Sequence, residues 1–74
     1  MLHKYDKQWK KRCLFSVDSR QNKRFVQVCT AHSLESAVFL ARNYMIAVRV
    51  TCRVRNYLGK VVFTVHTDGM EEKC

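Results

Sequence analysis

The chain has 74 residues, 47% of them apolar, with no proline and only two glycines. This length suits one small domain with little room for a deep catalytic cleft, and the apolar fraction argues against an intrinsically disordered chain. Fourteen lysines and arginines against six acids give a net charge of +8. Such a charge favours an anionic partner, and the candidates are nucleic acid, an acidic membrane face and an acidic protein.

The charge is unevenly distributed and divides the chain into three parts. Residues 1–11 are rich in lysine, and we interpret them as a basic N-terminal arm. Half of the acids fall in the last seven residues, so we expect a compact domain over 12–68 and a short acidic tail over 69–74. No apolar run approaches the ~18 residues of a membrane-spanning helix and no export signal is recognisable, so we expect a cytoplasmic protein with no membrane partner.

Alternating apolar and polar residues predict a first β-hairpin. Its strands are expected over 12–17 and 24–30, joined by a polar turn over 18–23 whose Asp, Ser and Asn favour tight backbone geometry. The register that turns the better apolar set inward pairs Val17 with Val26. The residues then expected on the outer side of this hairpin are Leu14, Ser16, Phe25, Gln27 and Cys29.

The hydrophobic period changes after Thr30, where apolar residues recur at three- and four-residue spacing and predict an amphipathic helix. The residues of its apolar stripe are Leu34, Ala37, Val38, Ala41, Tyr44 and Met45. Ser33 is the expected N-cap, and Glu35 suits the positive end of the helix dipole. No glycine closes this helix, so we expect it to pass into the next strand near Ala47.

The segment Arg49–Thr67 alternates almost without interruption and predicts a second hairpin. A two-residue and a four-residue loop both pair Cys52 with Val65 and Val54 with Phe63. This register is well determined, because a slip of one residue would turn the apolar set to solvent. The resulting order is ββαββ, and the expected fold is an α+β domain with a four-stranded antiparallel sheet and one helix on one face.

The sheet face opposite the helix is expected to stay open and to carry arginines and one aromatic ring. Arginine binds phosphate through fixed pairs of donors and also stacks on bases, and open sheets with aromatic residues hold single-stranded nucleic acid. We therefore predict sequence-tolerant binding of DNA or RNA. The residues expected to carry it are Lys10, Lys11, Arg12, Phe25, Arg49, Arg53, Arg55 and Lys60. The competing interpretation is that the arginines only keep the sheet soluble.

Phe39 and Ile46 point to a different class of function. They lie seven residues apart on the far side of the predicted helix, which suggests a surface for a second copy of the chain or another protein. With such a surface, the protein would be an inhibitor or accessory protein, of the kind found on phages and mobile elements, that docks on an acidic partner or forms a homodimer. The competing interpretation is that the N-terminal arm covers Phe39 and Ile46.

Catalytic and metal-binding patterns are weak. Cys29 and His32 have a C-x2-H spacing, but a structural zinc site needs a second closely spaced pair of ligands. No paired carboxylates, nucleophile with its base, or glycine-rich phosphate loop is recognisable. We expect no enzyme activity, no cofactor and no metal, and we expect the four cysteines to be reduced.

Overall fold

A computed structural model describes residues 14–73 of the chain as an antiparallel sheet with one helix packed on one face. The elements are β1 (Phe15–Gln21), β2 (Arg24–Ala31), α1 (Leu34–Val48), β3 (Cys52–Asn56), β4 (Val61–Val65) and β5 (Glu71–Lys73). The strands lie in the order β2-β1-β3-β4-β5. Over these residues, the predicted α+β class with one helix and an antiparallel sheet is confirmed. The predicted number of four strands is wrong, because the sheet of the described residues has five.

The first hairpin differs from its prediction in both length and register. β1 continues through the polar residues to Gln21, and the chain reverses in two residues, Asn22 and Lys23. Their φ angles of 51° and 69° are those of the type I′ turn that matches the twist of a hairpin. The predicted turn over 18–23 is therefore wrong.

A β-bulge sets the register of this hairpin. Val17 pairs with Cys29, and the pairing shifts between Val17 and Asp18, so that Val28 is the extra residue of β2. The predicted pairing of Val17 with Val26 is wrong. Cys29 therefore lies on the helix side of the sheet and packs against the core, opposite to the outer position that was expected.

The helix begins as predicted and ends on an unexpected residue. The Ser33 hydroxyl accepts a hydrogen bond from the Ser36 backbone N–H at 3.2 Å. At the other end, Arg49 adopts the left-handed conformation with φ 63° and donates its backbone N–H to the Met45 carbonyl at 2.7 Å. Arg49 thus occupies the position that glycine usually takes, and the expectation that it lies in the strand is wrong.

The second hairpin has the predicted central pairs, Cys52 with Val65 and Val54 with Phe63. A bulge between Val54 and Arg55 leaves Val62 unpaired, and Val62 packs against the core. In the loop, the Asn56 side-chain oxygen accepts backbone N–H groups of Leu58 and Lys60, both at 3.0 Å. The loop is therefore closed by local hydrogen bonds at the end where β1 begins.

The fifth strand lies within the segment that we expected to form the acidic tail. It pairs with β4 through Val65 and Glu71 at one end and Phe63 and Lys73 at the other. Glu71 also accepts two hydrogen bonds from the Arg42 guanidinium of α1, each 2.7 Å long. An acidic residue thus ties this short edge strand to the helix.

The core lies between α1 and the helix side of the sheet. Ala37 and Ala41 are fully buried, and their small side chains let the helix approach the strands closely. The buried apolar residues are Val17, Ala31, Ala37, Ala41, Met45, Cys52, Val54, Phe63 and Val65. Within residues 14–73, no helix is both long and apolar enough to cross a bilayer.

Candidate nucleic-acid interface

The side of the sheet opposite α1, here called the open face, carries a row of polar residues across four strands. Asp18 of β1 pairs with Gln27 of β2 on one side and with Arg53 of β3 on the other. Arg53 in turn pairs with Thr64 of β4. Residues paired in neighbouring strands share a face, and Asp18 alternates with the core residue Val17, so this row points away from the helix.

Asp18 binds two arginines of β3, and we call these three residues the Asp18 cluster. The Arg53 Nε donates to Asp18 Oδ2 at 3.0 Å. The Arg55 Nε donates to the same oxygen at 2.6 Å, and its Nη2 donates to Oδ1 at 3.2 Å. The carboxylate is only 2% exposed, against 29% for Arg53 and 31% for Arg55. The two arginine side chains therefore lie over the carboxylate and bury it.

The Asp18 cluster has consequences for both stability and charge. An unpaired buried carboxylate would be strongly destabilising, whereas three charge-assisted hydrogen bonds satisfy this one. In residues 14–73, every buried side-chain nitrogen and oxygen has a hydrogen-bond partner. The cluster keeps a net charge of +1, so it attracts anions less strongly than two free arginines would, but its guanidinium groups are held in fixed orientations.

Phe25 of β2 completes this part of the surface. The Arg53 Cζ lies 4.0 Å from the centre of the Phe25 ring. Because β1 lies between β2 and β3, the Arg53 side chain must extend across β1 to reach it. The arginine thus lies along the sheet, held by Asp18 at its Nε and by the Phe25 ring at its head, a cation–π contact.

The structure brings together only part of the predicted binding set. Phe25, Arg53 and Arg55 converge on the open face. Arg49 lies at the end of α1, near the sheet end where β3 begins, and Lys60 lies in the loop at the opposite end. The remaining predicted residues, Lys10, Lys11 and Arg12, lie outside the described residues. The binding role of all eight stays a prediction.

Sequence reasoning missed Asp18 and the cations of the first hairpin. Arg20 pairs with Phe25 on the open face and is exposed. Lys23 and Arg24 are exposed at the tip of the hairpin, beyond the point where β3 joins β1. The available signal was the dipeptide Asn22-Lys23, because asparagine tolerates the left-handed conformation that a two-residue turn requires.

The sheet is electrostatically asymmetric. Its β2-β1-β3 half carries the hairpin cations and the Asp18 cluster. The acids at the end of the chain lie on the β4-β5 side, where Asp68 accepts a backbone N–H in the turn and Glu72 contacts the His66 ring at 2.5 Å. The positive charge of the open face is therefore greatest on the β2-β1-β3 half and is reduced by acids towards β5.

The helix side presents an apolar groove. Its volume is about 620 Å³, and it lies between the first half of α1 and strands β4 and β5. The lining residues are Leu34, Glu35, Val38, Phe39, Arg42, Val62, Phe63 and Lys73. Phe39 and Ile46 are 65% and 60% exposed. Both side chains are therefore exposed, and Phe39 also lines the edge of the groove. Their role in binding a partner stays a prediction.

The cysteines of the described region have the properties of core residues. Cys29 and Cys52 are free thiols on the helix side of the sheet. Burial raises the pKa of Cys29, and burial together with the nearby Cys29 raises the pKa of Cys52 to about 11. High thiol pKa values disfavour the reactive thiolate. Cys13 and Cys74 lie outside the described residues.

Residues 14–73 contain no group of three His, Cys, Asp or Glu side chains placed to hold a metal ion. One face of the sheet carries a pair of guanidinium groups held by Asp18, with an aromatic ring beside it. Comparison with known proteins finds no matching family model, no similar curated protein and no similar solved structure.

Proposed function

We propose that the protein binds nucleic acid, with little sequence preference, through the open face of the sheet. The observation that carries this proposal is the pair of guanidinium groups that Asp18 holds side by side, one of them on the Phe25 ring. Guanidinium groups in fixed positions bind phosphate without first losing side-chain entropy. The net charge of +8 supports an anionic partner, and the first hairpin of the β2-β1-β3 half carries further exposed cations.

Three exposed cations of the first hairpin extend the proposed site. Arg20 lies beside Phe25, and Lys23 and Arg24 follow at the tip. With Arg53 and Arg55 they form a set of five, which corresponds to a handful of phosphate contacts. The affinity is then expected to fall with salt with a log–log slope of about −3 to −5.

The test removes the Asp18 cluster as a unit. A variant with Asp18→Asn, Arg53→Gln and Arg55→Gln leaves no buried charge unpaired, so its fold should survive. Lys60→Gln is the matched control, because both variants lower the net charge by one and Lys60 lies in the β3–β4 loop, outside the Asp18 cluster. Titrations of a labelled oligonucleotide at several salt concentrations compare the two variants.

We expect the cluster variant to lose most of its affinity and to show a shallower salt slope. The Lys60 variant should lose at most about threefold, the share of one peripheral phosphate contact. Equal losses in the two variants would indicate attraction by net charge alone and would exclude the open face as the site. Absence of binding by the parent protein would reject the function.

A second candidate function is binding of a protein, and the apolar groove is the observation that favours it. Leu34 and Phe39 are 44% and 65% exposed at its edge, and Lys73 lies in its lining. The fitting partner is an apolar segment of an acidic protein, since the chain carries a charge of +8. An acidic protein retained from nuclease-treated extract by the parent, and lost with Phe39→Ser, would support this candidate. Retention that is unaffected by Phe39→Ser would exclude the groove.

Self-association through the same side of α1 also stays a prediction. If the chain self-associates, its sedimentation coefficient should rise with protein concentration. Replacing both Phe39 and Ile46 with serine should then restore the sedimentation coefficient of a monomer. A constant sedimentation coefficient in the parent protein would exclude the homodimer.

A further inference from the structure

The contact between Arg53 and Phe25 bears on the kind of nucleic acid that the open face accepts. The Arg53 Cζ lies 4.0 Å from the Phe25 ring centre, which is contact distance. Phe25 thus covers part of the planar guanidinium, while the side chain remains 29% exposed. Unpaired bases stack on arginine and aromatic planes, and this exposed part is a surface of that type.

The width of the sheet argues against insertion into a duplex. Neighbouring strands lie about 4.8 Å apart, so five strands span roughly 20 Å, whereas the major groove of B-DNA is about 12 Å wide. The helix, which is the element that fits this groove, is packed on the other side of the sheet. In a duplex the faces of the bases are also covered by their neighbours, so only an unpaired base can lie on Arg53.

Asp18 contributes by holding the two arginine heads together. Both Nε atoms donate to the same oxygen, Oδ2, at 3.0 and 2.6 Å. Two guanidinium groups bound to one oxygen repel each other, and the carboxylate between them offsets this repulsion. Asp18 is therefore a positioning residue, which keeps Arg53 on the ring of Phe25 and Arg55 beside it.

We infer that the open face selects single-stranded over double-stranded nucleic acid, with a base stacked on the Arg53 guanidinium and an adjacent phosphate held by Arg55. This inference rests on the proposed function and adds the class of ligand. It assigns different roles to two arginines that are otherwise closely matched. Both lie on β3, bind Asp18 and are about three-tenths exposed, but Arg53 is the one in contact with Phe25.

The test compares Arg53→Lys with Arg55→Lys. Each keeps the charge and removes the planar head, so the number of cations facing phosphate is unchanged. The measurement is the Kd of a fluorescent single-stranded oligonucleotide and of the duplex of the same sequence, at one salt concentration. The parent should bind the single strand at least about tenfold more tightly, in line with the energy of base stacking.

We expect Arg53→Lys to lower the ratio of single-strand to duplex affinity by about fivefold or more, because the planar stacking surface is lost while the charge is kept. Arg55→Lys should change both affinities by the same factor and leave this ratio unchanged. Phe25→Leu, which keeps an apolar side chain but removes the ring, provides an independent variant and should reduce the preference as Arg53→Lys does. Circular dichroism of each variant checks that the fold is retained.

The possible failures are distinguishable. Equal affinity of the parent for single strand and duplex, or a preference that survives both Arg53→Lys and Phe25→Leu, would overturn the inference and leave the proposed function standing. If the parent binds neither form, the inference and the proposed function both fail.

Discussion

Replacing Asp18 with asparagine removes the negative charge that two arginines of β3 share. The wild-type carboxylate is almost completely buried and accepts three hydrogen bonds from charged donors. Hydrogen bonds to charged groups contribute about 1.5–3 kcal/mol each, and removing one partner of a fully buried ion pair costs about 3–5 kcal/mol. Both arginines here are partly exposed and can regain water. We therefore expect a loss of about 2–3 kcal/mol in the free energy of unfolding.

Glu71→Gln is the matched control for this substitution. Glu71 accepts two hydrogen bonds, both 2.7 Å long, from the Arg42 guanidinium, but Arg42 and Glu71 lie at the surface. Each variant raises the net charge by one, so general charge repulsion changes equally. Exposed ion pairs are screened by water and salt, and the loss for Glu71→Gln should be a small fraction of that for Asp18→Asn.

Urea unfolding followed by far-UV circular dichroism measures both losses. The expected result is a clear fall in the midpoint for Asp18→Asn with an unchanged m value, and a small shift for Glu71→Gln. In thermal unfolding, 2–3 kcal/mol corresponds to roughly 10–20 °C for a domain of this size. Equal stability losses in the two variants, or an Asp18→Asn variant as stable as the parent, would refute the view that the buried carboxylate of the Asp18 cluster stabilises the fold.

Three further predictions concern the helix and the core. Arg49→Gly should raise the free energy of unfolding by about 0.5–1 kcal/mol, because glycine adopts the left-handed conformation without strain. Arg49→Ala keeps the left-handed strain and should not raise the free energy of unfolding. A glycine variant less stable than the parent would contradict the presence of strain at Arg49. Burial and the nearby Cys29 raise the pKa of Cys52 to about 11, so the native state holds the thiol proton more tightly than the unfolded chain does. The contribution of this thiol to the free energy of unfolding is therefore fully present below about pH 9 and is lost as the pH rises towards 11. Urea unfolding over this range should have a weaker pH dependence in Cys52→Ala, and an identical dependence would show that the thiol is not responsible. Phe39→Ser should change the urea-derived stability by no more than about 0.5 kcal/mol, since the side chain is mostly exposed. A loss above 2 kcal/mol would mean that Phe39 is buried in solution.

The second hairpin was predictable because its apolar alternation is long and nearly uninterrupted. Only one register turns Val54 and Phe63 inward together, so the pairing could be derived without knowing the loop. The first hairpin was not, because Asp18 and Ser19 are residue types that favour turns. They form a strand here because Asp18 finds its partners on β3, about 35 positions along the chain, and no local pattern reports such a contact.

Two other features had little local signal. Arg49 takes a backbone conformation that favours glycine, and nothing in its immediate sequence indicates this. The fifth strand has three residues, all charged, and its pairing depends on β4 and on the contact between Glu71 and Arg42. The arginines of the candidate site could be placed on one face from the alternation alone. The position of Asp18 between Arg53 and Arg55 could not be predicted in this way. This carboxylate replaces the expected row of three free arginines by a pair in fixed positions.

The most direct test of nucleic-acid binding through the open face is an NMR titration of the isotope-labelled protein with a single-stranded oligonucleotide. Chemical-shift changes of the backbone amides and of the arginine Nε groups locate the contact surface residue by residue. We predict the largest changes at Phe25, Arg53 and Arg55, with small changes along α1 and β5. Changes concentrated around Phe39 and the apolar groove, with the Nε signals of β3 unmoved, would contradict it.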